Sequence, residues 1–302
     1  MIRPCSGPAV PLERGRAPAC ACAHEAGSAC EEVLMRIASI QLDVSEGETR
    51  EARVARTFEM VRGCRGADLI LLPETWATGY FSFERYAEEA EPEDGELARE
   101  AGRTARELGA YLHLGSFIER MPGGELANTS LLFDRAGRVI ASYRKMHLWG
   151  LGSEESRLLK AGKAVVTCPT EFGILGLATC YDLRFPEPFR CMVDQGATMF
   201  VICSAWPYPR LEHWLMLNRV RAFENEAFLV SANCVGVAHG RQFAGHSHIV
   251  DPWGTVVSSA GDEETVIWAD VDPKMPERVR DVFPPLRDRV LRCSPEPAIR
   301  TP

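Results

Sequence analysis

Short apolar runs that stop abruptly at polar turns, alternating with stretches of helical period, constrain this chain more than any other feature of its sequence. Runs at 36–43, 67–72, 111–119, 127–133, 138–144, 173–179, 197–203, 227–234, 245–250, 255–259 and 265–271 have the length and residue types of buried strands. Segments 48–64, 95–109, 186–195, 211–225 and 273–280 repeat apolar residues at helical spacing. Asp134-Arg135-Ala136-Gly137 and Asp251-Pro252-Trp253-Gly254 supply hairpin turns between strands. The pattern predicts an α/β fold of two packed sheets with helices outside both.

Three of these runs end in a residue equipped for chemistry. Cys180 closes Gly173-Ile174-Leu175-Gly176-Leu177-Ala178-Thr179 and precedes a polar turn and a Pro-started helix. Such a thiol is held rigidly, near helix-terminal N–H groups that favour negative charge. Glu74 follows Leu69-Ile70-Leu71-Leu72-Pro73, and Lys145 follows Val139-Ile140-Ala141-Ser142-Tyr143-Arg144. Taken singly, a buried Cys is more often a small hydrophobe and a strand-end charge is more often solvated. Together they matter, because α/β sheets assemble sites in the crevice beyond the carboxyl ends of strands.

Leu72-Pro73-Glu74-Thr75, Tyr143-Arg144-Lys145-Met146-His147-Leu148 and Thr179-Cys180-Tyr181-Asp182-Leu183-Arg184-Phe185-Pro186-Glu187 resemble, in order and spacing, the motifs of the nitrilase superfamily of carbon-nitrogen hydrolases, amidase type. Gly115-Ser116-Phe117, Asn128-Thr129, Arg221-Ala222-Phe223-Glu224-Asn225 and Gly245-His246-Ser247 agree as well, so the resemblance covers about Met35 to Asp281. It implies a four-layer α-β-β-α sandwich over residues 35–282, no cofactor, and pairing of chains into a homodimer or higher homo-oligomer. It also implies roles: Cys180 as nucleophile, Glu74 as base and then acid, and Lys145 with the backbone N–H of Tyr181 as oxyanion donors. These roles suit amide hydrolysis, which needs a strong nucleophile, a reversible proton carrier and a stabilised oxyanion. The family often adds a second glutamate in the loop after the Lys strand. Glu155 has that spacing, and the adjacent Glu154 leaves the register open.

Tyr181-Asp182-Leu183-Arg184 after the Cys resembles omega-amidases rather than the nitrile-cleaving branch. The implied substrate is a small carboxylated primary amide such as 2-oxoglutaramate or 2-oxosuccinamate. An N-carbamoyl amino acid, deaminated glutathione or a nitrile are alternatives, and a non-catalytic binding member of the fold is a further one. Arg184 has the guanidinium to grip a substrate carboxylate, and equally to pair with Asp182 or Glu187. Tyr80, Phe81 and Phe83 offer one pocket wall; Trp206 and Trp214 offer another, or else core packing.

A net charge of -8 without any Lys/Arg cluster argues against a nucleic-acid partner. No apolar stretch is long enough to cross a membrane. The 11 cysteines, mostly on apolar segments of a 302-residue chain, read as reduced thiols of a cytoplasmic protein. Residues 1–34, rich in Ala, Pro, Gly, Arg and Cys, read as a disordered or non-native extension before a start at Met35, and 283–302 as a Pro-rich tail. Cys20, Cys22, Cys30 and His24 match no familiar zinc spacing, and His246-Ser247-His248 on one strand would point its rings to opposite faces, so no metal is expected.

Overall fold

The structure, a computed structural model, describes residues 34–292; the extension reading for residues 1–33, with its Cys20, Cys22, Cys30 and His24 group, and the tail beyond 292 lie outside that range. A seven-stranded sheet runs in the order Cys234–Val235, Met35–Asp43, Leu69–Leu71, Tyr111–Arg120, Leu126–Phe133, Val139–Arg144, and Thr265–Val271 lies antiparallel to Met35–Asp43. A six-stranded sheet runs Val256–Ser259, His248–Val250, Phe228–Ala232, Ala197–Cys203, Gly173–Thr179, Val166–Thr170.

Strand alternation divides the side chains between two partners. Ile37, Leu69, Leu71, Leu132 and Tyr143 of the first sheet share one core with Leu175, Leu177, Met199, Val201, Phe228 and Val230 of the second. Their neighbours Ala38, Ile70 and Leu72 instead join Phe58 and Val61 of helix Arg50–Gly63 and Leu97 and Ala101 of helix Glu96–Leu108. On the far side, Ala178, Phe200, Ile202 and Leu229 join Phe189 and Met192 of Pro186–Asp194 and Trp214 and Ala222 of Leu211–Asn225. Strands apolar on both faces are what a doubly covered sheet requires, and the result is the expected four-layer α-β-β-α sandwich. Local signals set the helix ends: the Thr49 hydroxyl accepts from Ala52 N at 3.2 Å, Pro186 opens the helix it was expected to start, and Gly109, at φ +63°, stops Glu96–Leu108.

Strand direction brings the chemistry together. Leu69–Leu71 is parallel to Tyr111–Arg120, which is antiparallel to Leu126–Phe133, which is antiparallel to Val139–Arg144. The strands leading to Glu74 and Lys145 therefore point the same way. In the second sheet, Gly173–Thr179 and Ala197–Cys203 are parallel, and Glu74 N donates to Ser204 O at 3.3 Å, joining the carboxyl ends of the two sheets.

Some elements depart from the sequence reading. The 245–250 strand begins only at His248, because Gly245 and His246 adopt φ +60° and +51°, outside the extended region. The two His rings thus do not alternate along one strand. Val166–Thr170 is an added edge strand that Pro169 had masked, a position where a missing N–H is tolerated. Within the Pro-rich end, Pro285–Asp288 forms a single helical turn with Leu286 buried.

Candidate active site

The turn after Thr179 is wound as a short 3₁₀ segment, Cys180–Arg184, and Cys180 itself sits at φ +47°. A non-glycine residue there costs about 1–3 kcal/mol and persists only where its surroundings over-determine it. Asp182 provides that constraint. Its buried carboxylate accepts from Thr179 N at 2.9 Å, the Tyr143 hydroxyl at 2.6 Å and His147 N at 3.1 Å, and lies 2.7 Å from His147 Nδ1. Arg221 Nε adds a 3.0 Å bond to Leu183 O. The motif residues around the Cys thus act mainly as its mount.

Glu74 is mounted similarly. Thr75, at φ +43°, donates its N–H to Ser116 Oγ at 3.0 Å, and Ser116 N returns a 3.1 Å bond to Pro73 O. This approach depends on Gly115: at φ +71°, a Cβ there would lie 1.9 Å from Pro73 O.

The side chains of Glu74, Lys145 and Glu155 meet with no solvent exposure. Lys145 Nζ lies 2.8 Å from Glu74 Oε1 and 2.7 and 3.0 Å from the two oxygens of Glu155. Asn128 Nδ2 donates to Glu74 Oε1 at 2.8 Å and to Glu155 Oε1 at 3.2 Å, and Ala205 N donates to Glu74 Oε2 at 2.9 Å. Glu155 Oε2 also accepts from the Tyr80 hydroxyl at 3.0 Å and Trp149 N at 2.8 Å. The geometry separates the adjacent glutamates, because Glu154 forms an exposed ion pair with Arg157.

One ammonium shared by two buried carboxylates explains the proton affinities. Burial, reinforced by the Glu155 charge, pushes the Glu74 carboxyl above its ordinary range against the pull of Lys145. The carboxylates of Glu155 and Glu74 outweigh burial for Lys145 and hold it protonated. Burial and then the Glu74 charge push the Cys180 thiol well above its usual value. The thiol is therefore neutral at rest, beside a carboxylate whose basicity has been raised. This arrangement can move a proton from sulfur to Glu74 when an electrophile arrives.

Cys180 opens into a cavity of about 550 Å³ lined also by Tyr80, Phe81, Trp149, Tyr181, Arg184 and Trp206. Tyr80, Tyr181, Arg184 and Trp206 all reach the same space as the thiol. Phe83 does not line the cavity; it packs edge-on behind Tyr80 at 5.9 Å. Trp206 is both wall and core, 5.5 Å from Trp214, which is fully buried. Arg184 makes no ion pair with Asp182, Glu187 or any other acid among the described residues. Its guanidinium lies 4.9 Å from the Trp206 ring centroid, and its buried Nε has no hydrogen-bond partner.

Asn128, Trp149 and the Ala205 N–H were not singled out as site groups from the sequence. A buried amide within the apolar run Leu126–Phe133 is a signal for Asn128, whereas a backbone donor such as Ala205 N leaves none. Among the described residues no group of His, Cys, Asp and Glu is placed to hold a metal ion.

A family model described as carbon-nitrogen hydrolase matches residues 36–281. The 2-oxoglutaramate amidase of Paenarthrobacter nicotinovorans is 38% identical over 260 residues, spanning 84% of this chain and 88% of its own. The human omega-amidase NIT2 is 31% identical over 262 residues, spanning 84% of this chain and 94% of its own. Among solved structures, Saccharomyces cerevisiae Nit3, a member of branch 10 of the nitrilase superfamily, superposes with a TM-score of 0.78 at 27% identity, covering 85% of this chain and 97% of that one.

Proposed function

This chain belongs to the carbon-nitrogen hydrolase family, and we propose that it hydrolyses the terminal amide of a short carboxylated amide, of the 2-oxoglutaramate type, through a thioester on Cys180. The observation that carries the reading is a cavity onto which open both a neutral thiol raised by the Glu74 charge and an arginine, Arg184, that pairs with no acid among the described residues. Relatives named 2-oxoglutaramate amidase and omega-amidase support the same substrate class.

Glu74 accepts the Cys180 proton as sulfur bonds to the amide carbon. The oxyanion that forms is met by Lys145 and the N–H of Tyr181; one such donor is worth about 10²–10³ in rate. Protonated Glu74 then gives its proton to the departing nitrogen, ammonia leaves, and the thioester remains. Glu74 takes a proton from water, the hydroxide adds to the thioester, and collapse releases the acid and the thiolate, which takes that proton back from Glu74. Glu155 forms no bond to substrate; it fixes Lys145 and, through Trp149 N and Tyr80, the cavity wall. Tyr80, Tyr181 and Trp206 exclude water around the acyl chain, and Arg184 receives its carboxylate bidentately.

The chain is also read as a homodimer or higher homo-oligomer in a reducing cytoplasm. Supporting the first, Met216, Val220 and Phe223 lie along one side of helix Leu211–Asn225 at 56%, 37% and 51% exposure, next to exposed Trp253. Supporting the second, Cys64, Cys168, Cys180, Cys203 and Cys234 are free thiols. No helix among the described residues is long and apolar enough to cross a membrane.

The test is ammonia release from a panel of 2-oxo acid amides, neutral aliphatic amides, N-carbamoyl amino acids, deaminated glutathione and nitriles. A carboxylated 2-oxo amide should lead by kcat/KM. Preference for a carbamoyl compound or a nitrile would overturn the substrate reading, and silence across the panel would favour a binding role.

A further inference from the structure

Arg184 is not the only cavity guanidinium without an acid. Arg210 also lines the space into which Cys180 opens, and it forms no ion pair and no side-chain hydrogen bond among the described residues; its guanidinium lies over the Trp149 ring, 4.7 Å from the centroid. Its position is electrostatically adverse. Arg210 is the N-cap residue of helix Leu211–Asn225, the end at which the helix dipole disfavours a cation. Arg184 adds a second positive charge close enough for the two to oppose one another, which depresses the proton affinity of Arg184 after burial has done so.

Two aromatic surfaces hold these charges in place. Trp206 carries Arg184 on its ring and donates its indole N–H to Arg210 O at 2.9 Å, so one side chain fixes both arginine positions. Trp149, under Arg210, stands edge-on to Tyr181 at 4.8 Å, and the Tyr181 ring centroid lies 5.9 Å from the Arg184 guanidinium. Elsewhere the chain is rich in acids and its arginines are commonly paired, as Arg144 is with Glu119 and Arg56 with Glu48. Two guanidiniums on aromatic supports, Arg184 with only His213 Nδ1 at 3.1 Å and Arg210 with no polar side-chain partner among the described residues, form a locus that an anion would neutralise.

Resting on the substrate class given above, we propose that Arg210 is a specificity-determining residue: with Arg184 it forms a two-guanidinium clamp on the substrate carboxylate. The clamp discriminates a carboxylated amide from its neutral analogue. Because Arg210 lies on Trp149, whose N–H is bonded to Glu155, the bound anion also presses on the loop that holds Lys145.

The experiment compares a carboxylated 2-oxo amide with a neutral amide of equal length in the full chain, in Arg210→Gln and in Arg210→Lys, by KM and kcat separately and across ionic strength. A charge-assisted hydrogen bond to a carboxylate corresponds to about 10- to 100-fold in affinity. Arg210→Gln should therefore reduce the carboxylated-to-neutral ratio of kcat/KM by about that factor, mostly through KM, and flatten the salt dependence of KM. Arg210→Lys should recover part of the ratio. An unchanged ratio in Arg210→Gln, or an equal loss on both amides, overturns the clamp. If the unaltered enzyme itself has no preference for the carboxylated amide, the substrate reading falls and the clamp with it.

Discussion

Replacing Glu155 by Gln separates the role of charge from that of shape, since the amide keeps the length of the side chain and removes one negative charge. The buried cluster holds Glu74, Glu155 and Lys145, two carboxylates about one ammonium. Breaking a buried pair costs about 3–5 kcal/mol when it strands a charge. Here Lys145 keeps Glu74 at 2.8 Å, and the amide oxygen still serves one of the donors, Tyr80 or Trp149 N. The stability loss should therefore stay under about 2 kcal/mol, near that of a hydrogen bond to a charged group. Catalysis should suffer more. Losing one charged contact on Lys145, about 1.5–3 kcal/mol, would reduce kcat by about 10- to 100-fold if the ammonium is no longer held for the oxyanion. The pH profile supplies the sign. The Glu155 charge raises the proton affinity of both Glu74 and Lys145. Without it, Glu74 becomes a carboxylate at lower pH and Lys145 loses its proton at lower pH, so both limbs of kcat/KM should move down together. The assay is kcat/KM across pH with urea unfolding of the same samples. A kcat within threefold of the unaltered enzyme, or an acid limb that stays put or rises, would refute the reasoning.

Asp182→Asn should destabilise by about 3–5 kcal/mol in urea unfolding, because an amide presents donors to the N–H and O–H groups the carboxylate now accepts. Gly115→Ala would place a methyl group 1.9 Å from Pro73 O at φ +71°, so Glu74 must shift; activity should drop at least tenfold and the melting temperature fall in thermal unfolding. Phe223→Glu should weaken association, read by sedimentation as a larger monomer fraction, with the far-ultraviolet spectrum unchanged.

The layered fold is legible in the sequence because its strands are apolar on both faces and end at turn residues. Met35–Asp43, Gly173–Thr179 and Leu211–Asn225 fall within a residue of their expected bounds. Legibility fails where backbone geometry overrides composition, as at His246, whose positive φ shortens a strand of suitable residues. At the site, the strand-end rule brings Glu74, Lys145 and Cys180 into view because each terminates an apolar run. It says nothing of Ala205 N, a main-chain donor with no residue signature, or of Arg184 and Arg210 lacking an acid partner among the described residues, which depends on where the folded chain carries each guanidinium. The choice between Glu154 and Glu155 likewise depends on which side of a one-turn helix, Glu155–Leu158, faces Lys145.

The central claim is a covalent acyl intermediate on Cys180, and rapid-quench intact-protein mass spectrometry during turnover of 2-oxoglutaramate tests it most directly. The account predicts a transient mass increase equal to the substrate less ammonia, mapped by digestion to the peptide containing Cys180 and missing from Cys180→Ala. Steady ammonia release by Cys180→Ala, or an adduct mapped to another residue, would contradict it.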